Sequence, residues 1–183
     1  MKATIVLLAD NKLSNIGNSL LYEANCISEV GYEMTRMPFH VSLKQPFVVE
    51  DLATIEKLFD EFDFKPVKIK FEKLSCFPHW LGSSDTGGMF LKTESKELRD
   101  LQKKLFGELK EKIGDCPAEH DNDYIFHMTI AIGDAKYSNY VKAYEVLKDK
   151  IPKDIFTLDK LALFIYTDDT IKPGTYFCYK IKQ

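Results

Sequence analysis

A chain of 183 residues with 45% hydrophobic side chains can bury a substantial core, either as one compact domain or as two small lobes that share one. A net charge of −3 argues against a protein that grips a long duplex nucleic acid, which needs a basic stripe, but it is compatible with a small nucleotide or an RNA end. No apolar run approaches the ~18 residues that span a bilayer, and the apolar stretch 2–9 ends at Asp10 without a small-residue cleavage pattern, so a cytoplasmic protein away from membranes is expected.

Taken in chain order, residues 3–9 are rich in branched apolar side chains and read as a strand. Over residues 11–32 the apolar positions Leu13, Ile16, Leu20, Leu21, Ala24, Ile27 and Val30 recur near helical period, with Gly31 as the stop. A turn at Pro38 leads into a strand around His40 that Gln45 and Pro46 are expected to close. Residues 51–62 carry the stripe Leu52, Ile55, Leu58, Phe59 and Phe62, a second helix, and 65–77 read as one long strand. The Gly- and Ser-rich stretch 78–88 is the natural border between two halves.

The second half repeats this plan. Residues 89–93 read as a strand, and 95–113 as a helix with Leu98, Leu101, Leu105, Leu109 and Ile113 on one face. An acidic loop, 119–123, delivers a strand over 124–132, which Gly133 and Asp134 are expected to turn. A helix over 138–151, a strand over 156–167 and a last strand over 174–181, joined by a turn at 168–173, complete the chain.

Phe39-His40-Val41-Ser42-Leu43 and Phe126-His127-Met128-Thr129-Ile130 are two copies of one pattern, offset by 127 − 40 = 87 residues. The same offset takes Phe71-Glu72-Lys73-Leu74 to Leu158-Asp159-Lys160-Leu161, Gly87 to Gly174 and Phe90 to Phe177. The chain is thus read as a single domain, 1–183, of two pseudo-repeats at about 1–87 and 88–183. An α+β fold follows: two β-α-β-α-β halves related by a pseudo-twofold axis, two small, mostly antiparallel sheets around a central cleft, and helices outside. A monomer is expected.

Period-two alternation puts each His and the hydroxyl two residues later on one strand face, with Val41, Leu43, Met128 and Ile130 turned into the core. Two imidazoles across a cleft can serve as base and acid near neutral pH, and Ser42 and Thr129 can donate to phosphate oxygens. This is equipment for cleaving a phosphodiester without a metal.

The two motifs, His40-Val41-Ser42-Leu43 and His127-Met128-Thr129-Ile130, resemble the paired His-x-Thr/Ser-x motifs of the two-histidine (2H) phosphoesterase superfamily, the group of LigT-like 2′-5′ RNA ligases and cyclic phosphodiesterases. The resemblance covers nearly the whole chain. It implies metal-independent hydrolysis of 2′,3′-cyclic phosphates or 2′-5′ phosphodiesters in RNA ends or small nucleotides, with 2′-5′ ligation as an in vitro counterpart. By the same resemblance His40 gives a proton to the leaving oxygen, His127 takes one from water, and Ser42 and Thr129 hold the phosphate. Two departures bear on substrate identity: Ser42 stands where Thr is commoner, and Ala131-Ile132-Gly133-Asp134 offers no Arg after the second motif.

Three more residues are substrate-binding candidates. Alternation puts Lys44 on the His40 face, where it can hold phosphate or simply end a strand in solvent; Tyr124 and Phe177 lie on strands near the inferred cleft and can stack a nucleobase or pack in the core. His79, beside Trp80, and His120, in the acidic loop, read as solvated loop residues. A metal site built from His40 and His127 with either of them lacks close ligand spacing, so neither metal nor cofactor is expected. Cys26, Cys76, Cys116 and Cys178 show no Cys-x-x-Cys spacing and read as buried free thiols. The rival reading from another class is a catalytically silent module that binds a nucleotide or RNA end in the same cleft.

Overall fold

The computed structural model describes residues 1–78, 85–118, 120–167 and 176–183. In chain order the elements are β1 (Lys2–Leu8), α1 (Asn11–Ser28), a 3-10 turn (Glu33–Arg36), β2 (His40–Val48), α2 (Leu52–Glu61), β3 (Val67–Ile69), β4 (Phe71–Pro78), β5 (Thr86–Thr93), α3 (Lys96–Ile113), β6 (His127–Lys136), α4 (Tyr137–Leu147), β7 (Phe156–Leu158), β8 (Leu161–Tyr166) and β9 (Tyr176–Lys182). Asp10, Asp51 and Ser95 cap α1, α2 and α3, each accepting from backbone N–H groups of the first turn.

Seven strands form one antiparallel sheet in the order β4-β5-β6-β2-β1-β8-β9, and β3 pairs with β7 in a separate ribbon. Read outward from the middle, β6-β5-β4 matches β2-β1-β8 element for element, leaving β9 as the extra strand. The two expected sheets are therefore joined edge to edge, through the single pair Val41↔Met128. The outer strands are exchanged as well: β4, from the first half of the chain, pairs with β5, and β8, from the second, pairs with β1.

Alternate residues of β1 show which face is which. Ala3, Ile5 and Leu7 belong to the main core together with residues of all four helices, whereas Val6 and Leu8 belong to a small cluster with Ala162 and Phe164 that contains no helix residue. The helices thus cover one face of the sheet and leave the other open. Gly17 of α1 makes close packing possible beside the site, since a Cβ there would lie 2.8 Å from the ring of Phe39, the residue before His40.

Local differences from the sequence reading have physical causes. Each long strand, 65–77 and 156–167, is two strands in two sheets, broken at Lys70 and at Asp159–Lys160. Pro46 lies inside β2 because the β1–β2 register shifts on both sides of Ile5, leaving residues 45 and 46 without a paired β1 partner. Gly133 and Asp134 continue β6, paired with β5, and do not turn the chain. α1 ends at Ser28 with Glu29 in the left-handed region at φ 50°, ahead of Gly31. The four cysteines are free as expected, but Cys26 is exposed and the other three are only partly buried. The residues 79–84 of the border loop, with His79 and Trp80, and the turn 168–173 with Gly174 lie outside the described residues.

Candidate functional site on the open face of the sheet

The one pair that joins the halves sets the site. Val41 and Met128 face each other and point into the core. Continuing that antiparallel register by one residue each way puts His40 beside Thr129 and His127 beside Ser42, all four on the open face. The two histidines are then diagonal neighbours, a relation that spans roughly 7–8 Å in a sheet. Side chains at that spacing can both reach a small group held between them.

Each imidazole is anchored by the same device. Nδ1 of His40 lies 2.8 Å from the carbonyl oxygen of Pro38, and Nδ1 of His127 lies 2.8 Å from that of Ile125. A carbonyl only accepts, so in both rings Nδ1 carries the proton and Nε2 is left to exchange one. The rings are braced by aromatic neighbours, His40 against Phe164 and His127 against Phe90, each at 4.9 Å between centroids. Phe90 is braced in turn by Phe77 at 5.7 Å, whose ring lies where a Cβ on Gly88 would stand. Among the described residues neither the Ser42 nor the Thr129 hydroxyl has a hydrogen-bond partner, so both are available to a ligand.

Both imidazoles resist protonation. Burial, with repulsion from His127 as a smaller contribution, pushes His40 down to about 4 against the opposing pull of the Pro38 carbonyl. Burial lowers His127 as well, again opposed by its backbone carbonyl. In the free protein at neutral pH both rings are neutral.

Past the Val41–Met128 pair no further β2–β6 pairing is made among the described residues, and side chains take up carbonyls of β2. Tyr124 Oη donates to the Ser42 oxygen at 2.8 Å and Gln102 Nε2 to the Leu43 oxygen at 3.0 Å, while on the β1 side, at the register shift, Thr4 Oγ1 donates to the Lys44 oxygen. Tyr124 is therefore a buried brace under β2, packed on Phe126 at 5.1 Å, and not an open platform for a base. Alternation carries this signal, because Tyr124, Phe126 and Met128 share the core face while His127 takes the other.

Two further sequence candidates also lie elsewhere. The register shift pairs Lys44 with Ile5, a core-facing residue, so Lys44 turns under the sheet, away from His40. There it is buried, ion-paired with Asp121 and held 4.6 Å above the Phe106 ring of α3. Phe177 pairs with core-facing Ile165 and packs on Tyr179, whose hydroxyl reaches Glu56 of α2, so it too lies on the helix side. Its sequence correspondence with Phe90 misleads because β9 has no structural counterpart in the first half.

Conversely, the structure brings to the site residues that sequence reasoning missed. Lys92 pairs directly with His127 across β5 and β6, and Leu8 holds the equivalent place beside His40. Lys92 shares a strand face with Phe90 by alternation, but nothing in the sequence says which strand lies alongside. Gln102 was also legible in part, as a polar residue within the Leu98–Leu105 stripe of α3. His120, exposed with φ 63°, pairs with Asp123 at 3.4 Å. Among the described residues no three His, Cys, Asp or Glu side chains are gathered to hold a metal ion, and no helix is long and apolar enough to cross a membrane.

An antiparallel α+β fold with two His-x-hydroxyl strands at its centre defines a class, and the comparisons agree with it. The family model of the 2′-5′ RNA ligase superfamily matches residues 27–170. The chain belongs to this superfamily, whose members are LigT-like two-histidine phosphoesterases. Among solved structures, TT0787 of Thermus thermophilus superposes with a TM-score of 0.63 at 14% identity, over 99% of this chain and 96% of that one. E. coli LigT, solved in complex with 3′-AMP, gives 0.59 at 10% identity, and Kluyveromyces marxianus Usb1 gives 0.52 at 12%, each with the same coverage. At these identities the likeness is one of fold. A search of curated protein sequences returns no match.

Proposed function

We propose that the protein is a metal-independent phosphodiesterase that opens 2′,3′-cyclic phosphates or cleaves 2′-5′ phosphodiesters at RNA ends or in small nucleotides. The observation that carries this reading is the paired device at the centre of the sheet: two imidazoles, each with Nδ1 committed to a carbonyl and Nε2 free, with a hydroxyl beside each. His127 takes the proton of the attacking water through Nε2. His40 gives one to the departing ribose oxygen. Ser42 and Thr129 donate to the non-bridging oxygens, on which charge builds as the bond to phosphorus forms. Because both rings are neutral in the free protein, the acid proton is taken up from solvent as the substrate binds: a phosphate anion between the rings favours imidazolium at one of them.

The complexes of LigT with 3′-AMP and of Usb1 with uridine monophosphate support a nucleotide as the ligand here. The test is a panel of 2′,3′-cyclic nucleotides, 2′-5′ and 3′-5′ dinucleotides and RNA ends, incubated in chelator, with products resolved by which ribose oxygen keeps the phosphate. Turnover of a cyclic phosphate or a 2′-5′ ester in chelator is expected. Binding without turnover across the panel would make the protein a nucleotide-binding member of the fold, and turnover only after a divalent metal is returned would contradict the two-histidine chemistry.

A further inference from the structure

We infer that the open face beside His127 carries a subsite for a second phosphate of the substrate, held by Lys92 with Lys73 behind it, so that an oligonucleotide end is preferred over a lone mononucleotide. The inference rests on the phosphodiester reading of the histidine site and adds to it a direction. A transverse row of paired residues runs His127, Lys92, Lys73 across β6, β5 and β4. Adjacent strands lie ~4.8 Å apart, so Lys92 stands one strand from His127 and Lys73 two, and together they flank the reacting position on one side, where a single neighbouring phosphate would lie.

The charges themselves are unusual for a sheet. Lys73 and Lys92 face each other directly, an arrangement that costs stability in a bare sheet. A bulge brings Glu72 to the same place, with its carboxylate 3.2 Å from Lys92 Nζ. That pair is partly exposed, with Lys92 at 30% and Glu72 at 48%, and a pair of this kind is easily exchanged for a stronger anion. Two lysines and one glutamate leave a net positive patch next to His127. On the other side the equivalent row reads His40, Leu8 and Lys160, the last positioned by the hydrogen bond from Leu8 N to its carbonyl at 2.9 Å. The outer lysine is common to both halves, so the difference lies at the residue touching the histidine: Leu8 in an apolar cluster with Val6, Ala162 and Phe164, against Lys92. One side suits an uncharged part of a nucleotide and the other a phosphate. A patch of two lysines also agrees with the net charge of −3, since it serves one flanking phosphate and not a long backbone.

The test compares two probes by titration: a nucleoside 3′-phosphate, with one phosphate, and a dinucleotide ending in a 3′-phosphate, with two. The intact protein should bind the dinucleotide at least ~10-fold tighter at low salt, with a steeper salt dependence. Lys92→Met should shrink that ratio to less than ~3 and reduce the salt slope by ~1, while Glu72→Gln, which removes the competing carboxylate, should widen it. Equal binding of the two probes by the intact protein, or a ratio unchanged in Lys92→Met, overturns the subsite. Because the readout is binding, a protein that shows the ratio and its loss yet cleaves no ester would retain the subsite and lose the catalytic proposal, and one that cleaves cyclic phosphates with no such ratio would do the reverse.

Discussion

The two halves hold their histidines alike and surround them differently. Both imidazoles give Nδ1–H to the carbonyl two residues earlier, and both lean on a phenylalanine at 4.9 Å. Around His40 the open face is apolar, with Val6, Leu8, Ala162 and Phe164, whereas around His127 it carries Lys92 and the Phe90–Phe77 stack. What was kept between the halves is the orientation of a proton-exchanging nitrogen. What diverged is the chemistry around it, and a pair of equal groups in unequal surroundings can divide the roles of acid and base.

The largest expected effect tests whether the halves act as one unit. His40→Ala and His127→Ala should each slow cyclic-phosphate opening by at least about 10², and the double variant should be little slower than the worse single, since groups in one proton circuit are not additive. Near-normal turnover in either variant would separate the halves and move the chemistry elsewhere. Next come the hydroxyls: Ser42→Ala and Thr129→Ala should each cost on the order of 10 to 10³ in rate, as lost oxyanion donors do, with the imidazole titrations unmoved.

The third test reads the inequality through pH. Burial holds His40 at about 4 and lowers His127 too, so the state with one ring protonated is most populated between two depressed values. The profile of kcat/KM, which reports the free protein, should be a bell with its optimum below about pH 6.5, and the kcat profile should peak higher because bound phosphate raises both rings. An optimum of kcat/KM above pH 7 would contradict the depressed values. Stability has a definite sign as well. As pH falls from the ordinary histidine value of about 6.5 towards 4, the unfolded chain binds a proton at position 40 that the folded chain refuses, so stability decreases over that window. Denaturant titrations at stepped pH should show the decrease, and His40→Gln should flatten it.

The shared face of the candidate site was legible because a strand has period two and the motif is written twice. His40, Ser42, His127 and Thr129 reach one face by alternation alone, and the 87-residue offset matches the palindromic strand order. Where alternation is interrupted, legibility stops. A register shift invisible in the sequence turned Lys44 under the sheet, and Phe177 followed an offset into a strand with no counterpart. Pairing between strands distant in sequence is likewise not written locally, so neither the exchange of β4 and β8 nor the place of Lys92 beside His127 could be read. The joining of the two sheets through one residue pair is a long-range fact of the same kind.

The smallest expected effect concerns the brace under β2. Where β2 and β6 part, the Ser42 carbonyl depends on Tyr124 Oη, which is buried, and burial with the nearby Asp121 charge raises its pKa so that it remains a donor throughout the working pH range. At the equivalent place in the first half, 124 − 87 = 37, stands Met37, which packs against the apolar cluster beside His40 and has no hydroxyl to offer. The brace is thus a feature of one half only. Tyr124→Phe keeps the ring and its packing on Phe126 while leaving one carbonyl unpartnered, a change that costs ~1–3 kcal/mol when the acceptor is cut off from water. Thermal unfolding should show that loss. If the hydrogen bond also fixes Ser42, kcat should fall by a few-fold with KM nearly unchanged, whereas Gln102→Leu, which releases the neighbouring Leu43 carbonyl from α3, should lower stability with a smaller effect on kcat. Equal kinetic losses in the two variants would mean that β2 responds as a whole strand and that Tyr124 has no particular hold on the residue beside His127.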